Sequence, residues 1–169
     1  MLMRLPIQDL LPEAFAPFGK VIEQPTRPAD GDGPGWKWWG GVGILPGQGH
    51  SYAIGYLDLQ PVSEWRFDWA ERHHASPELL VPTGGDCLIH VAPPDHPDEL
   101  DRLPPLDRFK LFRVRPGQAV LLNPKVWHGA PLALGQALNV VVLLDQGTGS
   151  DNTSVVPFTQ GVIEAVAAS

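Results

Sequence analysis

From residue 69 to residue 82 the chain reads WAERHHASPELLVP, which sets Glu71, Arg72, His73, His74 and Glu78 into an otherwise apolar run. Polar groups buried without partners are costly, so these residues form either a solvated turn or a set of ligands facing a pocket. Side chains two apart on a strand share a face. Glu71 and His73 therefore point one way, and Arg72 and His74 the other. On one continuous strand Glu78 would face away from His73. Ala75-Ser76-Pro77 is a turn signal, however, and Pro77 limits Ser76 to extended geometry. A hairpin there resets the parity, and Glu71, His73 and Glu78 then converge from two adjacent strands. His128 follows an Asn123-Pro124 turn and sits between Trp127 and Gly129 in an apolar strand. Alone it would read as a satisfied core histidine. With the first cluster it completes a mixed nitrogen and oxygen shell of four side chains, Glu71, His73, Glu78 and His128. Imidazole with carboxylate suits a divalent first-row metal such as Mn, Fe, Co, Ni or Zn, whereas calcium and magnesium prefer oxygen alone.

The elements around these residues are short. A helix is expected at about 12 to 17 and a strand at 20 to 23, followed by a loop over 24 to 35. Strands then recur as YAIGYLDL, WRFDWAERH, ELLVP, CLIHVA, FKLFRV, QAVLL, VWHGAPLAL and ALNVVVLL, most of them separated by Gly, Pro, Asn or Asp. Many short strands with frequent turns predict an all-β sandwich or barrel. The tail FTQGVIEAVAAS reads as a weak helix. WKWW, at 36 to 39, is expected to be core or a dimer interface, with a pocket wall as the sharper alternative. His90 should face solvent, His50 and His96 should be solvated in loops, and His74 should point away from the cluster. Asp151 and Asn152 read as turn formers.

At 169 residues the chain has the size of one domain, taken as 1 to 169, and no internal repeat interrupts it. A net charge of −7 argues against a nucleic-acid partner. The single cysteine, Cys87, rules out an intrachain disulfide; it reads as a small buried apolar residue, and its isolation fits a reducing, cytoplasmic setting. The longest apolar run, VVVLL, is too short to span a bilayer, so no membrane partner is expected.

The spacing resembles the two cupin motifs. The first, His-x-His-x4-Glu-x6-Gly, stands here as Glu71-x-His73-x4-Glu78-x6-Gly85, with Glu in place of the first His. The second places a His eleven residues after a Gly, an interval that Gly117 and His128 keep. Trp65, Pro124 and Leu132 depart from these motifs. More narrowly, EAFAPFGKVIE, ERH at 71 to 73, VWH at 126 to 128 and GSDN at 149 to 152, in that order, resemble the ureidoglycolate lyase family. That resemblance implies a cupin-type double-stranded β-helix (jelly-roll barrel), usually dimeric, that cleaves (S)-ureidoglycolate to glyoxylate and urea in purine-nitrogen salvage, with nickel as the associated metal. The family typically has Gln at the position of Glu78, and a different polar stretch where this chain reads GDGPGWKWWGGVG. On this reading His73, His128 and Glu78 hold the metal, and Glu71 is a fourth ligand or the base. Two carboxylates and a divalent ion leave little net charge for an anionic α-hydroxy acid, so Lys37, Arg66 and Lys125 are the candidate substrate-binding cations. Another metal-dependent cupin enzyme, an isomerase or dioxygenase, would use the same shell, and a non-catalytic binding barrel is the third alternative.

Overall fold

The computed structural model describes residues 1–46, 51–148 and 152–167, and the side chain of Trp36 is not among what it describes. Almost all of the regular structure is strand. A short α-helix, α1 (Pro12–Phe15), opens with Pro in its first turn, which is pre-shaped for a helix start. Two sheets carry the fold. The smaller runs β2 (Gly19–Ile22), β11 (Ala119–Leu122), β8 (Glu78–Thr83), β14 (Leu138–Asp145) and β5 (Tyr52–Leu59), in that spatial order. The larger runs β15 (Thr153–Pro157), β7 (Trp69–His73), β12 (Trp127–His128), β9 (Cys87–Ala92), β10 (Lys110–Val114), β1 (Leu2–Asp9), β16 (Val162–Val166) and β6 (Arg66–Phe67), with β13 (Leu132–Ala133) also on β9. This is the expected all-β architecture, with two sheets facing one another.

The core lies between the sheets. Leu80, Val120 and Val140 of the smaller sheet pack with Ile89, Val91 and Phe112 of the larger, and Phe15 and Phe18 close one side against Phe112. Each fully buried side chain of this size contributes about 1.5–3 kcal/mol. A second apolar layer covers the back of the larger sheet, built from Phe67, Leu88, Phe109, Leu111, Trp127, Phe158 and Ile163. Strands of this sheet are therefore buried on both faces. For that reason β9, CLIHVA, reads as an unbroken buried run and not as an alternating one.

Four expectations need correction. First, β7 and β8 are not a hairpin: β7 pairs with β12 and β15, and β8 pairs with β11 and β14. The connection through residues 74–77 crosses from one sheet to the other, and Ser76 secures it by accepting the Asp145 N–H at 2.9 Å. Second, the tail is a strand, not a helix: β16 lies parallel to β1, with Leu2 beside Val162 and Pro6 beside Val166. A partner strand at the opposite terminus overrides the weak helical propensity of VIEAV. Third, the loop over 24–35 contains β3 (Gly31–Gly33), which pairs with β4 (Trp36–Trp38) in a separate small hairpin. Fourth, the core half of the expectation for WKWW fails at Lys37 and Trp38, which are exposed on that hairpin, Trp38 at 62%. Among the described residues no helix is long and apolar enough to cross a membrane.

Candidate metal centre

Glu71 and His128 stand opposite one another on β7 and β12. His73 shares the face of Glu71, and all three point into the space between the sheets. Glu78 comes from β8 on the far side. Its Oε2 lies 2.7 Å from His128 Nε2 and 3.3 Å from His73 Nε2, so the expected convergence holds although its route differs. The side chains of His73, Glu78 and His128 are all buried, and Glu71 is half-buried. One ligand atom each from Glu71, His73 and His128 can be chosen so that all lie within 4.8 Å of one another.

The hydrogen bonds behind the histidines assign their tautomers. His128 Nδ1 is 2.9 Å from the Val126 carbonyl, which only accepts, so this nitrogen carries a hydrogen. His73 Nδ1 is 2.7 Å from Thr153 Oγ1, whose own proton goes to the Thr148 carbonyl at 2.8 Å. The hydroxyl therefore accepts from His73. In their neutral forms both imidazoles then present bare Nε2 lone pairs to the same carboxylate oxygen. That arrangement is repulsive unless a cation lies among the three groups. Although His128 Nε2 and Glu78 Oε2 are 2.7 Å apart, the contact is misaligned for a hydrogen bond, and both atoms are buried without a hydrogen-bond partner. Donors about 2.0–2.2 Å from a shared transition-metal ion lie roughly 2.8–3.6 Å from one another. The observed spacings, with Nδ1–H groups tied to oxygen on both rings, fit an ion-binding shell.

Charge adds to this. Burial pushes the Glu78 carboxyl up, but the close approach of His128, then of His73, outweighs it and holds the group down at about 2. Burial likewise lowers the His128 imidazole, and Glu78, then Glu71, raise it to a net upward shift. Glu78 is thus an anion at neutral pH and His128 is inclined to hold a proton or another cation in its place.

The remaining predicted positions divide sharply. The main chain of Lys125 adjoins the site: its backbone takes the left-handed φ of 68° and its N–H donates to the His73 carbonyl at 2.7 Å. Arg66 does not join it. That guanidinium pairs with Glu64 and Glu164, across β6 and β16 at the other end of the sheet. Lys37 does not either, because it lines an outer groove with Leu79 and Val81, whose side chains leave β8 on the face opposite Glu78. His74 points away, to Ser154 Oγ at 2.9 Å. Cys87 is fully buried, as expected, and burial pushes its thiol up to about 12. His96 is half-buried beside Glu99, and Asn152 closes a turn onto the Thr148 carbonyl at 3.1 Å. His50 and Asp151 fall outside the described residues. His90 is a correction: it is 1% exposed, not solvated. Its parity does place it opposite Cys87, but that back face is covered by Phe67, Phe109 and Phe158. Two groups carried no usable sequence signal. Thr153 lies on β15, far along the chain, and Arg72, placed on the opposite face by parity, is 0% exposed.

Fold and site together define a β-barrel protein with an interior His/Glu centre suited to a divalent ion. Comparison with known proteins carries this further. The family model described as ureidoglycolate lyase matches residues 2–164, and the chain belongs to that family. It is 29% identical over 151 residues to a ureidoglycolate lyase of Rhizobium etli, covering 87% of each chain. It is also 29% identical over 161 residues to one of Rhodobacter capsulatus, covering 88% of this chain and 90% of that one. Among solved structures, a 3,4-ketoisomerase from Thermoanaerobacterium thermosaccharolyticum, in complex with TDP-4-keto-6-deoxyglucose, aligns with a TM-score of 0.44 at 14% identity, over 60% of this chain and 64% of that one.

Proposed function

We propose that the protein is a carbon–nitrogen lyase that cleaves (S)-ureidoglycolate to glyoxylate and urea, with help from a divalent transition metal, in purine and allantoin nitrogen catabolism. The observation that carries the metal is the convergence of two histidine Nε2 atoms on one buried carboxylate oxygen. Family membership carries the substrate. His73, His128 and Glu78 would hold the ion, nickel by family likeness, with Zn, Mn or Fe as the other occupants. Bound there, the ion supplies a Lewis acid for an α-hydroxy acid.

The chain's own groups do the rest. Glu71 is half-buried at the edge of the shell and acts as the base that takes the hydroxyl proton. The O–H electrons become the carbonyl of glyoxylate as the C–N bond breaks, and its electron pair leaves on the ureido nitrogen. That nitrogen takes up a proton, returned by the protonated Glu71, to give urea, so atoms and charge balance. Lys125, held beside His73, is the cation that answers the substrate carboxylate. The same reading has two copies of the chain pairing, a pairing supported by the apolar outer face of the smaller sheet, where Ile54 and Tyr56 are exposed.

The test incubates the metal-loaded protein with racemic ureidoglycolate and follows glyoxylate through a coupled dehydrogenase. Turnover of one enantiomer is expected, and Glu71→Gln should reduce it by about 10²–10⁴-fold with metal retained. Glyoxylate release no faster than the spontaneous reaction would rule the lyase assignment out.

A further inference from the structure

The ladder that sets Glu71 opposite His128 is very short. Strand β12 has two residues, and one pair alone, His128 with Glu71, is in register with β7. A slip of one residue would send Glu71 and His73 to the back of the sheet and bring Arg72 and His74 to the front. So short a ladder gives the register of β12 against β7 little support of its own; the other ladders of these strands are five pairs from β7 to β15 and two from β12 to β9.

The next position along the same two strands sets Arg72 against Trp127, on the back face. The guanidinium carbon lies 4.6 Å from the centre of the Trp127 ring. Both side chains are 0% exposed. Arg72 donates to three main-chain carbonyls, those of Leu100 at 3.0 Å, His96 at 3.2 Å and Glu99 at 2.6 Å. The planar fork is thus fixed at its edge by a separate segment of chain and on its face by the ring. Burying a guanidinium is expensive unless its donors are satisfied, and carbonyls together with an aromatic face achieve that here. Each member of the pair adjoins the shell directly: Arg72 lies between Glu71 and His73, and Trp127 precedes His128.

We propose that Arg72 and Trp127 are positioning residues, a clamp on the back of the sheet that sets the register of the strands carrying Glu71, His73 and His128. The proposal rests on the metal-site reading above for its functional consequence. Its structural content, the orientation of the two imidazoles, can be read without metal.

The test uses Arg72→Lys, which keeps the charge but lacks the fork, and Trp127→Phe, which keeps an apolar ring of smaller face. Circular dichroism establishes that each variant is folded. Nickel affinity is then measured by calorimetry on the full-length metal-free proteins at 25 °C, well below unfolding. The ring ¹⁵N shifts of His73 and His128 are recorded on the same metal-free samples. Both variants should show displaced ring shifts and nickel affinity lowered by about 10–100-fold, Arg72→Lys more than Trp127→Phe. A folded variant with a lowered melting temperature but unchanged affinity and ring shifts would mean the pair merely packs, and overturns the proposal. Should the wild-type protein take up no nickel, the metal reading fails, and the ring shifts alone decide: displaced shifts support the clamp and unchanged shifts overturn it. Should Arg72→Lys fail to fold, Trp127→Phe is judged by the same two measurements.

Discussion

Two buried histidine environments lie on opposite faces of one sheet, and they do different work. On the inner face, His73 and His128 each tie Nδ1–H to an oxygen and turn Nε2 toward the Glu78 carboxylate. On the outer face, His90 uses Nε2 to reach the Trp69 carbonyl at 3.0 Å, and its ring lies 4.1 Å from that of Phe67 among aromatic side chains. The backbone shows the same specialisation. A Cβ at Gly129, immediately after His128, would stand 2.6 Å from His90 Cε1, so the absence of a side chain there is what admits the ring. Burial alone therefore separates nothing. The surroundings of the second ring nitrogen do: in His73 and His128 it faces a carboxylate, which favours a cation, whereas in His90 it is Nδ1, buried without a partner among aromatic walls, which favours the neutral ring. Protonation follows the partners. Burial pushes His90 down to about 3, while Glu78 carries His128 upward against the same burial.

The largest effect should come from the inner face. On the proposed reading His128→Ala removes a metal ligand, and it leaves Glu78 buried without its neighbour. Bound transition metal, measured by inductively coupled plasma analysis, should fall from stoichiometric to near zero, and turnover should drop by about 10³-fold or more. Retained metal and activity would remove His128 from the shell. The outer face should respond in stability instead. His90 is depressed in the folded state relative to about 6.5 unfolded, so the unfolded chain binds more protons as acid is added. Its contribution is intact above about pH 6.5 and is lost as pH falls toward about 3, with a limiting slope of roughly 1.4 kcal/mol per pH unit. His90→Phe should be less stable at pH 7 by about 1–3 kcal/mol, because the Trp69 carbonyl loses its donor. Its stability should also fall less steeply below pH 6.5, as read from urea melts across that range, while metal content at neutral pH is unchanged. An equally steep acid limb would contradict the neutral-core reading. The smallest effects belong to cations outside both faces. Arg66→Ala and Lys37→Ala should each change kcat/KM by less than about twofold, Arg66 giving up exposed ion pairs worth roughly 0–1 kcal/mol. A tenfold loss in either would return that residue to the substrate site.

Much of the inner face is legible in WAERHHASPELLVP and VWH, because strand parity is local: a period of two decides that Glu71 and His73 share a face whatever the rest of the chain does. The strands themselves are legible where apolar runs end at Gly, Pro, Asn or Asp, and YAIGYLDL and CLIHVA match β5 and β9 residue for residue. Other features depend on distant partners. VIEAV became a strand because residues 2–9 lie beside it, a pairing that propensity cannot see. Glu78 meets His73 across two sheets and not along one hairpin, since β8 finds better partners in β11 and β14. The basic residues were the least legible: Lys125 is drawn to the site by its backbone, Arg66 is held by Glu164, and Arg72 is buried by Trp127 and three carbonyls. The sequence by itself determined an all-β architecture and the shared face of Glu71 and His73, because these follow from composition and a two-residue period. Only the tertiary structure decided which nitrogen each histidine offers, which cation stands near and which is buried behind, because those depend on hydrogen bonds and packing between segments remote in the chain.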